Sequence, residues 1–314
     1  MEPAVIAAAA APKNSTNGRA PRRLRSPLQS AMAMVRPAAV VAERLGHPAS
    51  TWLCERLWLT PMPRHPKLRP REEALAREAV HLQVPVEGGH VAAWRWGQGE
   101  RAVLLLHGWG GYAMQLSAFV RPLVARGLTV AAFDFPSHGA SDGKRTDLPA
   151  MARAMAAVAK ALPPLEAIVA HSFGGVAAVL AVSRGAPDVK RLAILAGPAH
   201  FHTAEERFKQ MTGLSSRTFD RMRRNIERRT GEQWERLQPM ALVHALGKPG
   251  LVVQSDDDAE LPITHAETLA RLWPEARLDR RQGLGHFRLL RDPSVVEDVV
   301  AFVSPSSGEG KAVP

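Results

Sequence analysis

The sequence predicts an α/β fold: a mainly parallel central sheet flanked by helices, with an α-helical cap inserted late in the chain. Three features carry this. Apolar runs at 102–106, 128–133, 165–170, 192–195 and 251–254 are short and lack a polar alternation, as strands buried on both faces do. Segments of helical character at 114–125, 148–161 and 172–184 lie between them, and such alternation builds a parallel sheet. From about 200 to 248 no strand-like run occurs.

Residues 1–36 read as a disordered basic tail, with six basic groups against one acid. An alanine run follows Ile6 without a basic stretch before it, so a secretory signal is not expected; the start is left open between Met1 and Met34, with a basic, alanine-rich sorting segment as the alternative reading of the tail. Residues 37–79 form a helical flank and linker. Trp52, Leu53, Leu57 and Trp58 make an apolar stripe before Pro61, Pro63, Pro66 and Pro70 break the pattern. The flank is expected to pack on the domain, with a weak membrane-surface role as the alternative. Stretches 81–86 and 90–96, joined by Glu87-Gly88-Gly89, read as an antiparallel hairpin. Residues 80–199 and 249–304 form the core, 200–248 the helical cap, and 305–314 a polar tail. After the cap, a helix from 263 to 272, a strand at 276–280 and a helix from 293 to 302 complete the domain. In the cap, Phe219, Met222 and Ile226 form a stripe flanked by arginines. It faces either the substrate or the core.

Composition narrows the function. The chain has 314 residues, enough for one large core and an insert. No run approaches the length of a membrane span, and a cytoplasmic location is expected. Cys54 is the single cysteine, which excludes an internal disulfide and a thiolate-rich metal site. The net charge of +11 raises nucleic-acid binding. No nucleic-acid module accompanies it, so no nucleic-acid partner is expected. The oligomeric state is left open.

The chemistry starts at Ala170-His171-Ser172-Phe173-Gly174, between an apolar strand and a small-residue helix. A serine on a sharp strand-to-helix turn projects its Oγ from the sheet, in front of the helix N-terminus. An ordinary serine N-cap is the alternative. A serine nucleophile needs a base and an orienting carboxylate. Asp256-Asp257-Asp258 follows the 251–254 run, and His286 follows Gly283-Leu284-Gly285 near the C-terminus. The order Ser, Asp, His suits such a site. His107-Gly108-Trp109-Gly110-Gly111 ends another strand. The backbone N–H groups of Trp109 and Phe173 are assigned as the oxyanion hole.

With these pieces the chain resembles the α/β-hydrolase superfamily in its serine-hydrolase, esterase- or lipase-like form. The resemblance rests on His107–Gly111, Asp134-Phe135-Pro136-Ser137-His138-Gly139-Ala140-Ser141-Asp142-Gly143, Ala170–Gly175, Asp258-Ala259-Glu260-Leu261-Pro262 and Gly285-His286, and spans roughly 80–304. Ala170 and Ser137 stand where the family pattern has glycine. The family's acid lies four residues before the proline of the D-x-x-x-P segment, which implies Asp258 rather than Asp256 or Asp257. The implied triad is Ser172, Asp258 and His286.

His107, Gly108, His171 and His138 are read as pocket or loop-shaping residues, and Asp134 as an anchor of its loop. His107, His138, His171 and Asp134 lack metal-site spacing, so no metal and no cofactor are expected. The expected activity is that of a carboxylesterase on small or medium acyl substrates, through an acyl-enzyme. Thioesterase, amidase, lactonase, carbon–carbon hydrolase and haloperoxidase chemistries use a similar triad. A catalytically silent binding module is the alternative from another class.

Overall fold

The computed structural model describes residues 27–62 and 67–304, with side chains described from residue 35 onward. Eight strands form one sheet: β1 (Val80–Val86), β2 (Gly89–Trp96), β3 (Ala102–Leu106), β4 (Thr129–Phe133), β5 (Leu165–His171), β6 (Val189–Leu195), β7 (Gly250–Ser255) and β8 (Ala276–Arg281). Their order is β1-β2-β4-β3-β5-β6-β7-β8. Only β2 runs antiparallel to its neighbours. Every residue of β3, β4, β5 and β7 is buried. That is why these strands read as continuous apolar runs. The edge strand β8 is half-exposed and carries Arg277, Asp279, Arg280 and Arg281, charges that discourage pairing with another edge.

Helices cover both faces. On one face lie α5 (Leu148–Lys160), α6 (Phe173–Ser183) and α10 (Thr264–Leu272), packed over Leu104, Leu106, Ile168 and Val252. On the other lie α4 (Val120–Ala125) and α12 (Pro293–Val303), over Val103, Leu105, Val169 and Val253. Alternate residues of one strand thus feed two cores, as the strand's two-residue period requires. Asp147 caps α5 by accepting from the Ala150 N–H at 2.9 Å. Asp292 caps α12 by accepting from Ser294 and Val295.

The N-terminal flank departs from expectation. Helix α1 (Pro27–Leu45) starts inside the stretch read as tail and runs through Pro37. The boundary drawn at residue 37 is corrected to 27: Pro37 costs one backbone bond, while burial of Ala39 and Ala42 holds the helix to its neighbours. Residues 1–26 and the polar tail 305–314 lie outside the described residues. Helix α2 (His47–Trp58) follows at once. The segment read as linker contains a further helix, α3 (Pro70–Arg77), which Pro70 begins and Glu72 caps by accepting from the Arg69 N–H. Proline fits the first helical turn.

Between β6 and β7 the chain forms α7 (His202–Thr212), α8 (Ser216–Thr230) and α9 (Pro239–Leu242), with short 3₁₀ turns at Trp234–Leu237 and Val243–Ala245. Phe219, Met222 and Ile226 face inward on α8 and are buried. The insert meets α1 and α2 rather than only the sheet: Trp58 packs edge-on against Phe208 and Phe219, each at 5.1 Å between centroids. One further turn, α11 (Gly285–Arg288), follows β8 and holds His286.

Candidate active site

Strand β5 enters the turn fully buried, and α6 leaves it one residue after Ser172. Ser172 sits between them at φ 50, ψ −122. A non-glycine residue at positive φ stores strain that its surroundings must impose. Here the Ser172 N–H donates to Leu195 O at 2.9 Å, and the Gly175 N–H to Ser172 O at 2.9 Å. The turn is also crowded. A Cβ on Gly174 would lie 2.4 Å from His107 O, and one on Gly108 2.9 Å from the Ser172 Cβ. Close backbone approach therefore demands glycine at both positions.

His286 and Asp258 meet at the ends of β7 and β8. His286 Nδ1 lies 2.8 Å from Asp258 Oδ2. Asp258 is buried and its carboxylate is fully engaged. Oδ1 accepts from the N–H groups of Glu260 (2.8 Å) and Leu261 (2.9 Å), and Oδ2 also accepts from Gln254 Nε2 at 2.8 Å. Burial pushes its pKa up, but the bond from His286, the imidazole's charge and the two amides outweigh this and hold it below the usual value. Asp257 touches a different part of the loop: its Oδ1 accepts from Ser255 Oγ at 2.5 Å and from the Gly285 N–H at 3.1 Å. Ser255 Oγ in turn accepts from the Leu284 N–H at 3.1 Å. Asp256 faces outward to Arg280. Three consecutive aspartates thus have three different partners.

His171 connects the serine turn to the histidine turn. Its ring lies 4.8 Å from that of His286, and its Nε2 donates to His286 O at 3.1 Å. Burial lowers its pKa to about 3, helped by the neighbouring imidazole. Among the described residues no hydrogen bond joins Ser172 to His286; this backbone link through His171 holds their two turns together.

Two buried histidines fix the loop after β3. His107 Nε2 accepts from the Phe135 N–H at 3.0 Å, which leaves the proton on Nδ1, 2.7 Å from Gly108 O. His138 Nε2 accepts from the Gly110 N–H at 3.1 Å, and its Nδ1 donates to Pro136 O at 3.0 Å. Burial holds the His107 pKa well below the ordinary range and brings that of His138 to about 4. Asp134 ties both loops by accepting from the N–H groups of Ala113 (2.7 Å) and Ala140 (2.8 Å); burial raises its pKa to about 6. These groups are spent on backbone partners. Among the described residues no cluster of His, Cys, Asp or Glu is arranged to hold a metal ion. The Trp109 ring packs edge-on against Phe173 at 5.6 Å and His138 at 5.5 Å, so the two residues chosen for their backbone N–H groups are neighbours.

An apolar pocket opens beside Trp109 and Phe173. Its walls include Phe201, Ile226 and Trp234 from the insert, and Trp58 from α2. Its cavity volume is about 40 Å³, room on the order of a few waters. Sequence reasoning missed Gln254 and Trp58. Gln254 is a fully buried amide in an otherwise apolar strand, which is a readable signal. Trp58 reaches the pocket only through long-range packing.

Comparison with known proteins agrees with this architecture. Residues 103–299 match the model of the alpha/beta hydrolase family. Solved structures with the same fold include an esterase of Pyrococcus furiosus, 18% identical with a TM-score of 0.60 over 78% of this chain and 96% of that one. A membrane phospholipase A described as a bacterial virulence factor is 19% identical, with a TM-score of 0.59 over 89% and 100%. The thioesterase domain from the curacin biosynthetic pathway is 17% identical, with a TM-score of 0.54 over 72% and 98%. Comparison with curated proteins finds no match. Among the described residues no helix is long and apolar enough to cross a membrane.

Proposed function

The chain belongs to the alpha/beta hydrolase family, and from that premise we propose that it is a serine hydrolase, a carboxylesterase acting on small or medium carboxylic esters. One observation carries the reading. Ser172 is held at a strained strand-to-helix turn that is tied to the turn bearing His286, whose Nδ1 is bound to a buried carboxylate.

In this mechanism His286 Nε2 takes the Ser172 Oγ proton as Oγ attacks the carbonyl carbon. Asp258 keeps the remaining ring proton on Nδ1, so Nε2 is the basic nitrogen, and it stabilises the imidazolium that forms. The N–H groups of Trp109 and Phe173 donate to the oxyanion, a contribution on the order of 10²–10³ per donor. Collapse expels the alcohol, which leaves with the proton from His286. Water then attacks the acyl-enzyme, giving its proton to His286, and the carboxylic acid departs as Ser172 recovers its own. The helices between β6 and β7 act as a cap, and with Trp58 they wall off the apolar pocket where the acyl group lies. Neighbours of this fold include an esterase, a phospholipase and a thioesterase, so the scissile bond is decided by pocket chemistry rather than by fold.

Fluorophosphonate labelling tests the nucleophile. The expected result is one adduct on Ser172, with labelling and hydrolysis of short p-nitrophenyl esters both lost in Ser172→Ala. Full labelling or full turnover in that variant overturns the assignment. A folded protein that forms no adduct is a binding module. A panel of ester, thioester and amide substrates tests the bond class, and a preference for amides or for charged substrates overturns the carboxylesterase reading while leaving the triad intact.

A further inference from the structure

Helices α1 and α2 pack against each other and against α7 and α8. Their inner side is committed: Trp58 enters the insert, Ser50 Oγ meets Thr218 Oγ1 at 3.2 Å, and Glu43 accepts from the Ser215 N–H at 3.0 Å. Their outer side is not. Val40, Val41, Leu45 and Trp52 are 46%, 54%, 73% and 61% exposed, four of the nine large apolar side chains so exposed among the described residues. Single exposed apolar side chains are ordinary. Four on one two-helix unit is a local concentration of exposed apolar side chains.

One of the four, Trp52, also lines an open groove between α2 and α8, together with Thr51, Arg221, Arg224 and Arg228. The arginines follow at spacings of three and four, which puts them on one helix face, where like charges repel. Arg221 is fixed in place, donating to Thr51 Oγ1 at 3.3 Å and to Thr218 Oγ1 at 3.1 Å. Arg228 donates to Asn225. Arg224 has no hydrogen-bond or ion-pair partner among the described residues. Glu55, the one acid of the groove, pairs with Arg229. Arg56 lies over the Trp52 ring at 5.5 Å.

We propose that the outer face of α1 and α2, with the arginine row of α8, is a docking surface for an anionic phospholipid bilayer. The two kinds of exposed side chain call for the two parts of a bilayer interface. Phosphates satisfy the arginines, and the acyl boundary takes the apolar side chains, with Trp52 at headgroup level where indoles concentrate. A nucleic acid or a free anion satisfies the arginines but gives Val40, Val41, Leu45 and Trp52 nothing. Helices α2 and α8 send Trp58 and Ile226 into the apolar pocket, so docking brings membrane-dissolved acyl substrates to the pocket's own walls. This last step rests on the serine-hydrolase reading; the docking does not.

The test uses the full chain carrying Ser172→Ala, so that no lipid is consumed, and sedimentation with vesicles. Binding is expected to phosphatidylcholine vesicles containing phosphatidylglycerol, to fall steeply with salt, and to be weak with phosphatidylcholine alone. Arg224→Glu with Arg228→Glu weakens it by about tenfold or more. Trp52→Ala weakens it by about fivefold. Brominated lipid quenches tryptophan fluorescence less in Trp52→Phe. Each variant, with Ser172 restored, keeps its melting temperature and its turnover of a soluble short ester. Vesicle binding that is unchanged in these folded variants overturns the proposal, because the basic N-terminal residues then carry it alone. Retention on DNA without vesicle binding also overturns it, as does binding of inorganic phosphate alone or self-association lost with Trp52. Vesicle binding without fluorophosphonate labelling of Ser172 in the otherwise native chain leaves the docking standing and removes the hydrolase reading.

Discussion

Asp257 and Asp258 are adjacent in sequence and do different work. Asp258 holds His286 Nδ1 at 2.8 Å while two amides and Gln254 fill its other sites. Asp257 instead accepts from Ser255 Oγ and from the Gly285 N–H of the histidine turn. Asp258→Asn presents a donor to Nδ1 and favours the wrong tautomer, so kcat on a short ester is expected to fall by about 10⁴. Asp257→Asn keeps an acceptor for Ser255 and Gly285 and is expected to cost less than about tenfold. Steady-state kinetics on the two variants decide it, and equal losses overturn the division of roles. Backbone sterics give a second expectation. Gly174→Ala places a methyl 2.4 Å from His107 O, so the serine turn must open. The expected outcome is loss of fluorophosphonate labelling in a protein whose circular dichroism still shows the α/β fold. At this scale Ser172, His286 and the glycines were legible because their chemistry and spacing are local. Gln254, whose Nε2 bridges Asp258 Oδ2 and Leu261 O, stood in plain view as an amide inside an apolar strand.

Among the elements, the strands were the most legible, because burial on both faces writes an uninterrupted apolar run. Helix α3 was hidden by its own start signal: four prolines between 61 and 70 read as breakers, yet Pro70 occupies the first helical turn. The α8 stripe shows what periodicity leaves undecided. Phe219 packs on Trp58, while Ile226, two turns further on, reaches the apolar pocket beside Trp109 and Phe173. One face serves both the core and the site, and only the position of α2 separates the two uses. Ile226→Ala should therefore enlarge the pocket and move the chain-length optimum of kcat/KM toward longer acyl groups. Its stability cost should be about 2–5 kcal/mol, the usual range for a buried isoleucine cut to alanine. A chain-length series on p-nitrophenyl esters checks it; an unchanged optimum removes Ile226 from the acyl wall.

Across the whole molecule, the histidines that shape the site bind stability to pH. Burial lowers the pKa of His138 to about 4 and that of His171 to about 3 and holds His107 well below its ordinary value; it also lowers to about 4 that of His265 on α10, whose Nδ1 accepts from the Ala199 N–H at 3.0 Å. The unfolded chain takes up protons on these rings near pH 6.5, where the folded chain refuses them. Between about 6.5 and 4 the unfolded state therefore binds more protons, and stability falls as the pH falls. Asp134 acts in the opposite sense. Its folded pKa near 6 means the folded state holds a proton that the unfolded carboxyl has already lost, so acidification through the same window favours folding at that one group. Several buried rings against one carboxyl leave a net acid destabilisation. Urea denaturation at steps from pH 7.5 to 4.5 should show it as a falling midpoint with an unchanged m-value. His138→Gln isolates one contribution. The amide oxygen can accept from the Gly110 N–H as Nε2 does, but it does not titrate, so the slope between pH 6.5 and 4.5 should be shallower than in the parent. A variant that is folded and keeps the parent slope shows that His138 is not among the groups that set acid stability.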